Sequence, residues 1–299
     1  MPLSDPAPPR LSPTMGMLLV TLFWGGNFTA TKIAFTEIEP LAFTGLRFAI
    51  ASAVLWLVVR KVEGRVPRPP GTLWPLIALG VVGNTIYQIA FVEGLARTSA
   101  TKSAMILAIL PVSVTIAAAW LGIETVSRRQ KVAVGVATVG VALVLLGRGG
   151  TIGGPIGAGD MLLLAAVVGW TTYTLLLRHW ALPMSALSLT AWTLYTGTPG
   201  LVLVGLPQML RTDWGAVTIA GWGGVAYSSL LSLVVAYVFW NRGVALLGAS
   251  KAAIFNSIVP FVATVVAMVA LGERPGPLHL AGGLLIIGGV LLTRKRREG

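Results

Sequence analysis

The 299-residue chain is 55% hydrophobic and only 11% charged, where soluble domains carry about 25% charged residues. Too few polar side chains exist to coat a water-soluble globule of this length, so lipid must solvate much of the surface. The formal charge of +12 does not point to nucleic acid, because its basic residues form short clusters between apolar runs (Arg60-Lys61, Arg128-Arg129-Lys131 and Arg294 to Arg297), a pattern drawn to anionic lipid.

In chain order, residues 1–14 are Pro-rich and are expected to stay disordered on the cytoplasmic side. A membrane-spanning helix needs ~20 largely apolar residues. Runs of that kind lie at 15–34, 41–60, 73–93, 101–122 and 131–147. After a linker at 148–157 they continue at 158–178, 185–205, 216–237, 250–271 and 278–294, followed by a basic tail at 295–299. The first run has no convincing cleavage site and leads straight into more apolar segments, so it reads as a retained helix. The pattern predicts an all-α integral membrane protein with ten transmembrane helices. Lys and Arg are denser in the connections on the N-terminal side than on the other. By the positive-inside rule both termini face the cytoplasm of a bacterial-type inner membrane, which an even number of spans permits.

An internal repeat is the most informative feature. At an offset of 149 residues Gly94 meets Gly243, Ala100 meets Ala249, Lys102 meets Lys251, Ala104 meets Ala253, Pro111 meets Pro260, Thr115 meets Thr264 and Glu124 meets Glu273. Matches of Lys, Pro and Glu are telling because these residues are rare here. An offset of 146 pairs Trp24 with Trp170 and Lys32 with Arg178. Each repeat, 15–147 and 158–294, holds an odd number of spans, so the second is inverted relative to the first. Inverted repeats are characteristic of transporters that bind substrate near the midplane between the halves.

Several motifs carry a family resemblance: Phe23 to Phe28, Glu39-Pro40, Arg47, Ala100 to Ala104 and Leu110-Pro111, recurring as Ala249 to Ala253, Val259-Pro260 and Leu271-Gly272-Glu273. With these the chain resembles, over nearly its whole length, the ten-helix EamA-type branch of the drug/metabolite transporter superfamily. Within it, the chain is most similar to the YddG-like amino-acid exporters. The resemblance implies export of small metabolites, with amino acids, aromatic ones included, as the leading class.

Pro111 and Pro260 fall near the middle of their helices. Each removes a backbone donor and clashes with the carbonyl four residues earlier, loosening Leu107 and Asn256. Such groups are tolerated in lipid only where they face protein or a cavity, so both prolines are candidate hinges beside a site, or simple kinks. Lys102 and Lys251 open the same helices, roughly 13–14 Å from the prolines by helical rise. They read either as anion-attracting mouths or as snorkelling cations, Lys102 with Glu93 as a partner. Trp24, Asn27, Tyr87, Gln88, Trp170, Tyr173, Tyr227, Trp240, Phe255 and Asn256 are the aromatic and amide candidates for lining the cavity, with Met105 beside them. Amides and hydroxyls can bind an ammonium and a carboxylate while rings pack on an apolar side chain; the alternative for the amides is helix-to-helix bonding. Arg47, the one charge well inside a span, is a functional candidate by default, with Glu37 or Glu39 as possible partners. Gly135, Gly140, Gly282, Gly283, Gly288 and Gly289 suit close helix packing inside one subunit, and a monomer is favoured.

No carboxylate lies near the middle of a span, which weighs against a lipophilic-cation substrate and carboxylate-based proton coupling. There is no cysteine, and the only histidines are His179 and His279, so neither a metal centre nor another cofactor is expected. No nucleophile–base pair or P-loop appears. The expected partners are a small-molecule substrate and the bilayer, not nucleic acid. Two readings compete with amino-acid export: transport of phosphorylated or nucleotide-linked metabolites, and a non-transporting scaffold or enzyme.

Overall fold

The computed structural model describes residues 11–64, 71, 73–123, 127–146 and 156–293. Residues 1–10, most of the 148–157 linker, Arg65, Arg68, Glu124 and the tail from 294 lie outside the described residues. Among those described the chain is entirely helical, without strands, as an apolar solvent that cannot satisfy backbone groups requires.

The first half contains α1 (Pro13–Ala34), α2 (Pro40–Glu63), α3 (Trp74–Ala96), α4 (Ala100–Trp120) and α5 (Arg128–Leu146). The second contains α6 (Ala158–Trp180), α7 (Ala186–Arg211), α8 (Ile219–Leu247), α9 (249–271) and α10 (Pro277–Thr293). Five of these, α2, α3, α4, α6 and α8, are long and apolar enough to cross a membrane by length and composition.

Local chemistry sets the starts. α1 begins at Pro13 because the Ser12 side chain accepts from Met15 N at 3.2 Å and Pro13 carries the preset φ of a first helical residue. Ser99 and Ser185 cap α4 and α7 in the same way, accepting from Lys102 N at 3.1 Å and Ser188 N at 3.0 Å. At the start of α4 the Glu273 carboxylate also accepts from the amides of Ala100 and Thr101, at 2.9 and 3.0 Å. It thereby fastens the end of α9 to the head of α4, a structural role.

Two kinds of irregularity interrupt the rods. α4 turns at Ala108 and Ile109, just before Pro111, and α9 passes through a 3₁₀ turn at Asn256–Ile258 just before Pro260. The prolines thus break their helices where the sequence suggested. The second kind is not signalled by proline: α3 widens into a π-helix at Val81–Ile86 and α8 at Tyr227–Val235.

Packing follows the repeat. α1 lies against α9 and α8, while α6, its repeat mate, lies against α4 and α3; α2 meets α7, and α5 meets α10. Every one of these pairings maps onto itself or another when the halves are exchanged. The α5–α10 contact depends on Gly140, where an added Cβ would fall 2.6 Å from the Gly282 carbonyl oxygen. Gly135 and Gly288 meet nothing within 4 Å.

Candidate functional site

Trp24 and Trp170, matched by the repeat, touch each other edge to face with centroids 5.4 Å apart. They mark the place where the two halves meet. Around them α1, α2, α3, α4, α6, α8 and α9 enclose a cavity. Its volume is about 50 Å³. A single water needs ~10–15 Å³, so the space as it stands is a narrow slot, and a larger guest has to part the rings.

The aromatic wall is continuous. Tyr87 lies 4.8 Å from Trp170, Tyr237 5.6 Å from Trp170, and Phe28 packs edge-on to Phe91 at 5.5 Å. The two broken helices contribute Leu107 and Asn256, the residues four positions before each proline. Proline has no N–H, so each carbonyl loses its usual amide partner four residues on; the Asn256 carbonyl accepts from Val259 N instead.

The polar equipment is sparse. Trp24 Nε1 donates to the Ser232 carbonyl at 3.1 Å, and Asn27 Oδ1 accepts from Ser228 Oγ at 2.7 Å. Arg47 is buried, and its Nη2 donates to Gln88 Oε1 at 2.6 Å. Gln88 is held in turn by its Nε2, which donates to Tyr237 Oη at 2.9 Å. The guanidinium stands over the rings of Phe43 and Phe48, 5.1 and 5.6 Å from their centroids. Burying a charge without a counter-ion costs several kcal/mol in effective terms, of which ring contacts return about 0.5–2 kcal/mol each. Three buried polar atoms of cavity-lining side chains have no hydrogen-bond partner: Arg47 Nε, Trp170 Nε1 and Asn256 Oδ1. A polar atom left unpaired in a dry interior is costly.

Of the sequence candidates, Trp24, Asn27, Tyr87, Gln88, Trp170 and Asn256 come together at the cavity. Trp240 and Tyr173 support Trp170 from behind, with centroids 5.6 and 5.0 Å away, and Tyr173 Oη donates to Asn241 Oδ1 at 2.9 Å. Tyr227 instead donates to the Phe23 carbonyl at 3.2 Å. Met105 packs with Ala108 and Ile286, toward α10. Phe255 is half-buried against the core, and Lys251 is exposed. Neither lines the cavity.

Two ionic expectations need correction. Lys102 is not open at a mouth: it is buried, and its Nζ is bound to Asp160 at 2.8 Å, while Glu93, the acid expected beside it, pairs with Arg97. Nor does Arg47 reach Glu37 or Glu39. Glu37 accepts from Thr218, through its amide at 2.6 Å and its hydroxyl at 2.7 Å, and Glu39 faces Arg211 at 3.7 Å. Asp160, Tyr237, Phe91 and Ser232 are not among the residues the sequence marks out, and Phe28 is marked there only as part of the family motif, not as a lining residue. For Asp160 a signal existed: an acid in the first turn of an apolar helix. Among the described residues no cluster of three or more His, Asp or Glu side chains is placed to hold a metal.

Comparison with known proteins decides the family. The model of the EamA-like transporter family matches twice, at residues 12–146 and 157–295. The chain belongs to the EamA-like transporter family. Its two matched stretches coincide with the two halves described above. An uncharacterised transporter of Bacillus subtilis, YyaM, is 28% identical across 92% of this chain and 91% of its own length. A protein of Streptantibioticus cattleyicolor named "Probable terminal-alkyne amino-acid exporter" is 31% identical across 97% of this chain and 96% of its own. The S-adenosylmethionine/S-adenosylhomocysteine transporter of Chlamydia trachomatis is 24% identical across 95% and 90%. A solved chain of 21% identity superposes with a TM-score of 0.69, covering 95% of this chain and 96% of that one, and shares the fold. The protein is a membrane-embedded transporter of the EamA type.

Proposed function

We propose that this EamA-type transporter exports amino acids, neutral and aromatic, and related small metabolites from the cytoplasm. It does so by alternating access to the central cavity, through ten membrane-spanning helices with both termini cytoplasmic. The observation that carries this reading is the cavity itself. It lies between two inverted halves, is walled by rings that can pack on an apolar side chain, and carries a cation and amide groups for charged ends. The amino-acid exporter among the relatives supports the substrate class. The transporter of S-adenosyl compounds is compatible with it, since those molecules carry an amino-acid head. Phosphorylated metabolites drawn to Lys102 have less support, because Asp160 already neutralises that cation. The relatives are transporters by name, and the role proposed is transport rather than catalysis.

The test is flux of labelled Phe, Trp, Thr and Met into proteoliposomes holding the purified protein. Saturable flux, reduced at least ~10-fold by Trp170→Ala, is expected. A folded preparation that moves none of the four would sink the amino-acid reading.

A further inference from the structure

We propose that Arg47 is the carboxylate anchor of this transporter, so that a substrate must carry a carboxylate, with Asn256 Oδ1 receiving its ammonium. The proposal deepens the amino-acid reading and rests on it for the ammonium half only.

Arg47 is a buried guanidinium in the cavity wall. Among the described residues no carboxylate pairs with it: Asp160 serves Lys102, Glu93 serves Arg97, and Glu39 faces Arg211. One edge of its fork is held by Gln88 through Nη2, while the Nε–H is unpaired. The side chain is thus fixed in direction by the Gln88–Tyr237 chain of hydrogen bonds, with a donor to spare. Guanidinium presents a planar fork that matches a carboxylate, and charge-assisted bonds of this kind are the strong ones. Trp170 Nε1 is a second unpaired donor in the same wall, and Asn256 Oδ1 an unpaired acceptor. Donors and an acceptor together match a zwitterion. A phosphate would use the donors and leave the acceptor idle.

Ligand binding to the wild-type protein in detergent, followed by tryptophan fluorescence, tests this without any variant, since Trp24 and Trp170 both line the cavity. The series is phenylalanine, phenylalaninamide, 3-phenylpropanoate and phenethylamine. Phenylalanine is expected to bind best, 3-phenylpropanoate more weakly, and the two compounds without a carboxylate about 30-fold or more weaker than phenylalanine. Arg47→Gln is expected to erase the preference for the carboxylate, and Arg47→Lys to keep part of it. If phenylalanine and its amide bind alike, the anchor is overturned while the amino-acid reading stands. If 3-phenylpropanoate binds through Arg47 and phenylalanine does not, the anchor stands and the amino-acid reading falls. If none of the four binds, both fall.

Discussion

The seam between α4 and α6 and the seam between α9 and α1 are repeat copies built from different contacts. In the second, Gly25 lets Val262 approach so closely that an added Cβ would fall 2.5 Å from the Val262 Cβ. The residues at the matching offsets, Thr171 and Ser113, are joined instead by a hydroxyl hydrogen bond at 2.7 Å. Beyond that bond α4 and α6 part into an apolar crevice lined by Ile116, Trp120, Val168, Leu175 and His179. The matched lysines differ too, Lys102 buried and paired, Lys251 exposed. An inverted repeat therefore supplies a symmetric frame, and local chemistry makes one seam tight and the other divided. The alternating access proposed above calls for one side to be closed while the other is open.

The lysine contrast carries the largest expected effect. Lys102→Leu leaves Asp160 buried and unpaired and should cost about 3–5 kcal/mol, whereas the double change Lys102→Leu with Asp160→Leu should recover most of it. Lys251→Leu should change stability by less than about 0.5 kcal/mol. Thermal unfolding in detergent reads all three, and equal losses at the two lysines would erase the distinction. Next comes Gly25→Ala, which overpacks the tight seam and should cost about 1–3 kcal/mol. Adding Val262→Ala should relieve it, and a loss unchanged by that second substitution would show that the close approach is not what matters. Smallest is the hydroxyl pair. A double-mutant cycle of Ser113→Ala and Thr171→Val should give a coupling near ~0.6 kcal/mol, the typical value for interhelical hydrogen bonds in membranes.

The broad architecture was legible because its causes are local. Apolar runs broken by Gly, Pro and charge gave the helices, and the coincidence of Lys, Pro and Glu exposed the repeat. Proline chemistry located the turn at Ala108 and the 3₁₀ turn at Asn256. The site was legible only in part, since its decisive contacts join residues far apart in sequence. Asp160 sits in the first turn of α6, where it also accepts from Gly157 N at 3.0 Å and so reads as a helix cap. Its bond to Lys102 depends on how α6 meets α4. Arg47 and Gln88 each lie inside an apolar run, and their pairing depends on α2 meeting α3. The place of Tyr227 in α8 predicts a lining residue, yet Tyr237, ten positions later, lines the cavity instead.

Tyr237 follows a wide turn at Tyr227–Val235, and α3 has another at Val81–Ile86. Each residue of an α-helix advances the chain by about 100° around the axis, and a π turn lodges an extra residue in that cycle. Everything after it is out of phase with an ordinary helical wheel. Gln88 and Phe91 follow the first wide turn, and Tyr237 follows the second. The cavity wall is thus set by a count of residues as much as by their identity. Deleting one residue such as Val82 should let the wide turn relax to ordinary α-helix with Gln88 still facing Arg47, whereas the same deletion in plain α-helix would turn everything after it by about 100°, a difference that no hydropathy scale would register.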